Sequence, residues 1–122
     1  MTGRPARGMI LEVDLDPEVG HEQGRSRPCI VVQNNVGNRF SSMTIVVPLS
    51  DAAHIGGPSA IYVLVKKGDG GLRKDSIALS DQIRAIDLER IRRVIGLLSS
   101  ETMRKVDRAL AISLGLARGG QS

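Results

Sequence analysis

The chain has 122 residues, which fits one domain with a sizeable apolar core rather than two domains. Hydrophobic residues make up 41% of it, which argues against disorder along the whole chain, and because only 2% are aromatic, Val, Ile and Leu must build the core. The formal net charge of +4 is a modest basic excess, too small to identify an anionic partner by itself.

Membrane insertion and secretion are not indicated by the sequence. No apolar run approaches the length of a membrane-spanning helix, and the N-terminus lacks the charged-then-apolar pattern of a secretory signal. We therefore expect a cytoplasmic protein with no membrane partner. Residues 1–7 and 117–122 are expected to be loose tails on either side of a single domain at 8–116.

Apolar or alternating runs predict six β-strands along this domain. In the first, at 10–15, Leu11, Val13 and Leu15 face away from Glu12 and Asp14, as in a half-exposed strand. The run at 76–83 alternates in the same way, with Ile77, Leu79 and Ile83 opposite Ala78, Ser80 and Gln82. Apolar runs without alternation lie at 29–33, 44–49, 60–65 and 94–98.

Turn residues and one helical pattern complete the prediction. Residues 34–42 are expected to be a connection and 66–71 a glycine-rich turn, and Asp87 is expected to cap a short helical turn through Arg90. A helix capped by Ser99 or Ser100 is expected to run to about Leu114, before Gly115. Its apolar residues share one face: Met103, Val106, Leu110 and Leu114. These elements predict a mainly β domain, a compact barrel or strongly bent sheet, closed by a C-terminal amphipathic helix.

The loop at 20–28 leads directly into a predicted buried strand. Pro28 is expected at the first residue of that strand, one of the few strand positions that tolerates proline. Arg27 is then held at the mouth of the strand. A guanidinium in such a position is well suited to bind a phosphate group.

Several kinds of active site lack their sequence signatures. The two histidines, His21 and His54, lie in separate loops, and Cys29 is the only cysteine, so no clustered metal ligands are predicted. There is no phosphate-binding P-loop, no dinucleotide-binding glycine motif and no recognisable Ser-His-Asp arrangement. Cys29 lies in an apolar run and is expected to be a core residue rather than a nucleophile. No metal or cofactor is predicted.

Cations accumulate around the predicted strand ends, which makes nucleic acid a natural partner to consider. Phe40 and Tyr62 are the only aromatic residues, so base stacking on a sheet is disfavoured and hydrogen bonds must carry most base recognition. The candidate hydrogen-bonding side chains are Ser76, Asp81 and Gln82. The cations are Arg25, Arg27, Arg39, Lys66, Lys67, Arg73, Lys74 and Arg84.

Short motifs occur here in the same order as in one known family. They are Val13-Asp14-Leu15-Asp16-Pro17, Gly20-His21-Glu22-Gln23-Gly24, Arg27-Pro28 before Ile30-Val31-Val32-Gln33-Asn34, Val46-Val47-Pro48-Leu49-Ser50, and Leu72-Arg73-Lys74-Asp75-Ser76 before Asp81-Gln82-Ile83-Arg84-Ala85-Ile86-Asp87. With Arg7-Gly8 at the start, the similarity covers about residues 7–116. The sequence therefore resembles the MazF/PemK-type toxins of type II toxin–antitoxin systems.

The resemblance implies an SH3-like barrel of the MazF/PemK/CcdB type that forms a homodimer. It also implies a metal-independent, sequence-specific endoribonuclease (mRNA interferase) that cleaves single-stranded RNA through the RNA's own 2′-hydroxyl and is neutralised by a cognate antitoxin. The family's catalytic arginine falls on Arg27. Its catalytic threonine falls on Ser50, where serine keeps the hydroxyl but lacks the β-methyl group that stiffens the side chain.

Further residues are expected to bind the substrate. Glu22 and Gln23 would shape the loop and contact RNA, and Gln82 would read a base edge. Arg25, where the family often has glycine, adds charge to that loop, and His21, Ser76, Asp81 and Arg84 complete the expected substrate-binding set. His21 is also a candidate general base, because histidine exchanges protons near neutral pH, although the family pattern does not include it.

One alternative function stays open. A non-enzymatic toxin of the same fold would poison a protein target such as DNA gyrase by contact alone. The combination of Arg27 with the Ser50 hydroxyl favours the ribonuclease, since a simple binding protein does not need that combination. The recognised RNA sequence, the identity of the antitoxin and the number of active clefts per dimer do not follow from the sequence.

Overall fold

The computed structural model describes residues 3–15 and 26–117. Within these ranges the chain forms seven strands and two α-helices, which confirms the prediction of a mainly β domain with a C-terminal helix. In chain order the elements are β1 (Met9–Asp14), β2 (Ser26–Val31), α1 (Asn35–Phe40), β3 (Met43–Asp51), β4 (Tyr62–Val65), β5 (Ser76–Leu79), β6 (Arg84–Asp87), β7 (Ile91–Leu97) and α2 (Ser100–Ser113).

The strands form one antiparallel sheet in the order β4–β5–β3–β2–β1–β7, and β6 also pairs with β3. Strand β3 is nine residues long; its first part pairs with β2 and β6, and its last three residues pair with β5. The last three residues of β3 reach the cleft described below.

Both faces of the central strands are buried, because neighbouring residues on them belong to two different apolar clusters. Ile10 of β1 lies in the cluster that also contains Val106 of α2, whereas the next residue, Leu11, lies in the cluster with Ile86 of β6 and Ile91 of β7. Two-sided burial explains why β2 and β3 appear in the sequence as continuous apolar runs rather than alternating ones.

Cys29 lies in the second of these clusters and has 0% exposure. Burial raises the pKa of the Cys29 thiol to about 12, against a smaller lowering effect of the positive charges of Arg27 and Arg84. A thiol that keeps its proton at neutral pH is a poor nucleophile. The prediction that Cys29 is a core residue is confirmed.

The prediction of one strand at 76–83 is wrong. Strand β5 ends at Leu79, and a single 3₁₀ turn at Ser80–Gln82 leads the chain into β6. All four residues of β5 are buried, so the apparent alternation does not reflect an exposed and a buried face. The turn separates two strands that pair with different parts of β3, because β5 pairs with its last part and β6 with its first part.

A short helix, α1, occupies most of the segment 34–42, which the sequence predicts as an irregular connection. The helix begins after Asn34, whose side chain accepts a hydrogen bond from the N–H of Gly37 at 2.7 Å. The buried Asn38 anchors it by accepting a hydrogen bond from Thr44 Oγ1 at 2.7 Å. A helix of six residues is too short to show a helical period in the sequence, so the prediction missed it.

The predicted C-terminal helix is confirmed as α2. Ser99 caps it by accepting a hydrogen bond from the N–H of Thr102 at 3.2 Å, and Met103, Val106 and Leu110 are buried as expected. Leu114 is not: it follows the last helical residue and is 53% exposed. Neither helix of the described ranges has the length and apolar character that crossing a membrane requires.

The described part of the expected N-terminal tail is held against the domain instead of lying loose. The Arg7 guanidinium bonds both carboxylate oxygens of Asp107 on α2, at 2.5 and 3.1 Å. The Arg4 guanidinium donates to the backbone carbonyls of Asn38, at 2.7 Å, and of Ser41. Residues 4–7 therefore tie the start of β1 to both α-helices.

Asp69 connects a tight turn at Asp69–Gly71 to the start of α2. Its carboxylate accepts hydrogen bonds from Thr102 Oγ1 at 2.7 Å and from the N–H and Oγ of Ser99 at 2.8 and 2.9 Å. Burial acts to raise the pKa of Asp69, but the hydrogen bonds from Thr102 and Ser99 outweigh it, and the pKa lies below its ordinary value. The ionised carboxylate also interacts favourably with the N-terminal end of the helix dipole.

We expect Asp69→Asn to lower the free energy of unfolding by about 1 kcal/mol at pH 7, because it removes charge-assisted bonds at a site that solvent partly screens. A pKa that is lower in the folded than in the unfolded chain stabilises the fold at pH above the unfolded value of about 3.9, and this contribution is lost as the pH falls through the folded value. Denaturant titrations should therefore show the difference at pH 7, and the difference should shrink as the pH falls below the unfolded value. Glu101→Gln removes a negative charge from the first turn of α2 but removes none of these hydrogen bonds, so it should have a smaller effect on the free energy of unfolding.

Candidate active site

A cleft of about 610 Å³ opens where β1, β2, β7 and the end of β3 meet the segment that precedes β5. Its volume lies within the range of roughly 300–1,000 Å³ that is usual for ligand-binding clefts. Charged and polar side chains from all of these elements line it. They are Glu12, Ser26, Arg27, Ser50, Asp51, His54, Arg73, Lys74, Ser76 and Arg93.

Arg27 reaches the cleft from β2, where it is exposed and lies opposite Val13 of β1. The prediction that the strand starts at Pro28 is wrong, because Pro28 is its third residue. The proline is tolerated because pairing with β3 begins only at Cys29, so no ladder bond to β3 is lost at Pro28. Arg27 is therefore part of the sheet itself rather than placed at its mouth.

Ser50 reaches the same cleft from β3, opposite Ile77 of β5. It is half-buried and follows the fully buried Leu49. Arg27 and Ser50 thus lie on adjacent strands, and backbone pairing limits how far their side chains can separate. The structure brings together the two residues to which the resemblance assigns catalysis, and those catalytic roles remain predictions.

Glu12 lines the cleft together with two hydrogen-bond donors. Its carboxylate accepts hydrogen bonds from Ser26 Oγ and from Arg93 Nε, each at 2.6 Å. The bond from Ser26, followed by the bond from Arg93, lowers the pKa of Glu12. At neutral pH Glu12 is therefore ionised and holds the Arg93 side chain beside the cleft.

Asp51 forms a similar arrangement at the end of β3. Its carboxylate accepts hydrogen bonds from the N–H of Ala53 and from Lys74 Nζ, each at 2.9 Å. The bond from Ala53, followed by the bond from Lys74, lowers the pKa of Asp51. The same carboxylate caps the single 3₁₀ turn Ala52–His54, which places His54 in the cleft.

Positive charge predominates in the cleft. Among the described residues that line it are four lysine or arginine side chains (Arg27, Arg73, Lys74 and Arg93) and two carboxylates. Lys74 and Arg93 are paired with those carboxylates, whereas Arg27 forms no ion pair with any residue of the described ranges. A guanidinium with its donors available in a polar cleft can bind two oxygens of a phosphate group at once.

The other residues predicted to bind substrate have different outcomes. Ser76 lines the cleft, where its hydroxyl donates to the carbonyl of Lys74 at 3.1 Å. Asp81, Gln82 and Arg84 do not line it: the first two lie in the 3₁₀ turn after β5, and Arg84 begins β6. Four of the predicted residues fall outside the described ranges; these are His21, Glu22, Gln23 and Arg25.

Several cleft residues were missed by the sequence-based prediction of the site. The sequence pattern indicates Glu12 only as part of the exposed side of β1 and His54 only as a residue outside any metal cluster, and it carries no signal for Asp51 or Arg93. Cross-strand pairing brings Glu12 beside Arg93, because these residues lie opposite each other on β1 and β7. Spacing within the sequence carries no signal for such a pair. Across residues 3–15 and 26–117, no three His, Cys, Asp or Glu side chains form a group that could hold a metal ion.

Comparison with known proteins relates this fold and cleft to one family. Residues 6–114 match the family described as PemK-like, MazF-like toxin of type II toxin-antitoxin system. The chain belongs to this family. The toxin is 42% identical over 113 residues to Endoribonuclease EndoA of Bacillus subtilis (strain 168), which covers 90% of this chain and 94% of that protein. It is 39% identical over 110 residues to Endoribonuclease MazF of Staphylococcus epidermidis, with 90% and 91% coverage.

Solved structures agree with the fold of the toxin. An endoribonuclease in complex with its cognate antitoxin, from a mycobacterial species, matches with a TM-score of 0.76 at 25% identity, and the match covers 93% of the toxin and 97% of that chain. MazF from Deinococcus radiodurans (Form-I) matches with a TM-score of 0.73 at 21% identity, with 93% and 98% coverage, which supports the fold alone. The predicted family and fold class are confirmed.

Proposed function

We propose that this toxin is an endoribonuclease that cleaves single-stranded RNA in the cleft around Arg27 and Ser50. One observation carries the proposal. Arg27, whose guanidinium forms no ion pair with the described residues, shares a positively charged cleft with the hydroxyl of Ser50 on the adjacent strand. The names of the two curated relatives, Endoribonuclease EndoA and Endoribonuclease MazF, support the same activity.

The chemistry that these residues support is cleavage by the RNA itself. The 2′-hydroxyl attacks the adjacent phosphorus, so the protein supplies neither a nucleophile nor a metal ion. Negative charge then grows on the phosphate oxygens, and Arg27 stabilises it with two parallel hydrogen bonds. Ser50 donates a hydrogen bond to a non-bridging oxygen or to the leaving oxygen. Because both groups lie on paired strands, they need little reorganisation during the reaction.

The proposal is tested by incubating the purified toxin with a long RNA in the presence of EDTA. We expect cleavage at a limited set of sequences, and we expect a single 2′-deoxy nucleotide on the 5′ side of a cut to block that cut. If the RNA stayed intact under these conditions, the proposed ribonuclease activity would be contradicted. In that case, inhibition of a protein target such as DNA gyrase would be measured next with the same preparation.

Ser50 should be replaceable by threonine but not by alanine. Ser50→Ala removes the hydroxyl donor and is expected to lower kcat by about 10²-fold, the size of effect seen when one donor to a developing oxyanion is lost. Ser50→Thr keeps the hydroxyl and should retain activity within a few-fold. Single-turnover cleavage of an RNA that contains one mapped site gives both values. Equal rates for wild type and Ser50→Ala would remove Ser50 from the proposed mechanism.

The proposal extends to partners of the toxin. A cognate antitoxin is proposed because a solved relative is described in complex with its own. A homodimer is proposed because β7, the last strand of the sheet order, exposes Val94 and Leu97 by 45% and 66%. Light scattering of the purified toxin tests the dimer. The cytoplasm, where mRNA is translated, is the proposed place of action.

A further inference from the structure

The proposed reaction needs a group that accepts the proton of the attacking 2′-hydroxyl. Proton donors are plentiful in the cleft, since lysine, arginine and serine side chains line it together with solvent. Acceptors are scarce there. A guanidinium or an ammonium group has no lone pair to offer at neutral pH, and the hydroxyl of Ser50 is too weak a base. The residue that accepts the proton is therefore the part of the mechanism that Arg27 and Ser50 leave open.

The two carboxylates of the described cleft are poor candidates for this role. Each Glu12 oxygen accepts a 2.6 Å hydrogen bond, one from Ser26 and the other from Arg93. Asp51 accepts one hydrogen bond from Ala53 and another from Lys74. These bonds stabilise the ionised carboxylates, which lowers their affinity for a proton. A carboxylate stabilised in this way is a weakened base.

His54 is the remaining acceptor among the described residues of the cleft. Its backbone is fixed close to Ser50 by three hydrogen bonds that hold the turn Ala52–His54. Asp51 accepts from the N–H of Ala53 at 2.9 Å, the N–H of Ala52 donates to the carbonyl of Asp75 at 3.0 Å, and the N–H of Ile55 donates to the carbonyl of Ala52 at 3.2 Å. The imidazole is exposed to the solvent of the cleft, and a neutral imidazole offers a nitrogen lone pair.

We propose that His54 is a catalytic residue of this toxin, whose neutral imidazole takes the proton from the attacking 2′-hydroxyl. The inference rests on the proposed ribonuclease activity of the same cleft. As the proton leaves, the O2′–P bond forms and the P–O5′ bond breaks, with its electron pair passing to O5′. O5′ then takes up a proton from water or from the imidazolium. The products are a 2′,3′-cyclic phosphate and a 5′-hydroxyl, so no further reactant is consumed.

The charged groups around His54 determine how the pH response is interpreted. Carboxylate, lysine and arginine side chains in general titrate outside pH 5–9, whereas histidine changes charge between about pH 5 and 8. A change of rate within that interval therefore reports an imidazole. The charged groups that share the cleft or hold the turn are Glu12, Arg27, Asp51, Arg73, Lys74, Asp75 and Arg93.

The test compares the single-turnover kcat/KM of the wild type and His54→Gln between pH 5 and pH 9. For the wild type we expect the rate to rise with pH to a plateau. His54→Gln should be slower at the plateau by about 10²-fold or more and should lack the rise. His54→Ala should regain activity when imidazole is added, which a purely structural role would not allow. Binding of an uncleavable 2′-deoxy RNA should change only a few-fold.

The outcomes separate this inference from the proposed function. No cleavage by the wild type would reject the ribonuclease itself. Cleavage with the same pH profile in the wild type and in His54→Gln would reject only the role of His54. If His21→Gln, and not His54→Gln, lost the rise of the cleavage rate with pH, His21 would be the general base. If a 5′-thio leaving group restored His54→Gln to the wild-type rate, His54 would be the acid rather than the base, which also overturns the inference.

Discussion

Arg27→Ala is expected to remove most RNA cleavage by this toxin and to leave its fold unchanged. The Arg27 guanidinium lines the same cleft as Ser50 and has no ion pair within the described ranges, and a guanidinium binds two oxygens of a phosphate group at once. Loss of one such stabilising group typically lowers kcat by about 10²- to 10³-fold. Because Arg27 is exposed, the free energy of unfolding should change by less than about 0.5 kcal/mol.

Two control variants separate the guanidinium from charge in general. Arg27→Lys keeps the positive charge but loses the planar fork, so its activity should lie between that of wild type and that of Arg27→Ala. Arg39→Ala removes the same charge from an exposed position in the last turn of α1, away from the cleft, and should cleave RNA at nearly the wild-type rate. Equal losses in Arg27→Ala and Arg39→Ala would show that Arg27 contributes only net charge.

Gly96→Ala is expected to give the largest loss of stability. A Cβ atom at Gly96 of β7 would lie 2.3 Å from the carbonyl oxygen of Gly70 and 2.7 Å from its carbonyl carbon. Both are backbone atoms, so no side-chain rotation relieves the clash, and the turn Asp69–Gly71 must move away from β7. Overpacking of this kind costs about 1–3 kcal/mol, and here the upper end applies because two backbones are forced apart.

Gly56→Ala is the matched control for this substitution. A Cβ atom at Gly56 meets no atom within 4 Å, and Gly56 is not among the glycines with positive φ in the described chain. The free energy of unfolding of Gly56→Ala should stay within about 1 kcal/mol of the wild-type value. Denaturant unfolding of the three proteins measures the difference. Gly71 and Leu72 line the cleft, so Gly96→Ala should also slow RNA cleavage. If Gly96→Ala were as stable as the wild type, the close approach of the backbones of Gly96 and Gly70 would be contradicted.

Local chemistry made much of the fold predictable. The helix α2 was recognisable because a serine cap, an apolar face and a terminating glycine occur together, and Gly115 has the expected positive φ of 76°. Strands β1, β2 and β3 were recognisable as apolar or alternating runs. Asp87 caps the turn Leu88–Arg90 by accepting a hydrogen bond from the N–H of Glu89 at 2.9 Å, as predicted.

Boundaries and short elements were harder to predict, because packing rather than propensity decides them. The prediction of a continuous strand at 76–83 failed because β5 and β6 pair with different parts of β3, and a turn must separate them. The sequence predicts Arg27 at a strand mouth because proline is expected at the first residue of β2. In the structure the pairing with β1 extends back to Ser26, two residues before the proline.

The family and the two residues proposed for catalysis could be predicted from the resemblance that the ordered motifs carry, and the mainly β class from local apolar patterns. Motifs and patterns are properties of neighbouring residues in the chain. The surroundings of Arg27 and Ser50 follow from tertiary structure alone. The pair Glu12–Arg93 depends on the register between β1 and β7, whereas the pair Asp51–Lys74 and the entry of His54 into the cleft depend on how the end of β3 meets its neighbouring segments. Register joins residues that are far apart in sequence, and no spacing within the chain encodes it.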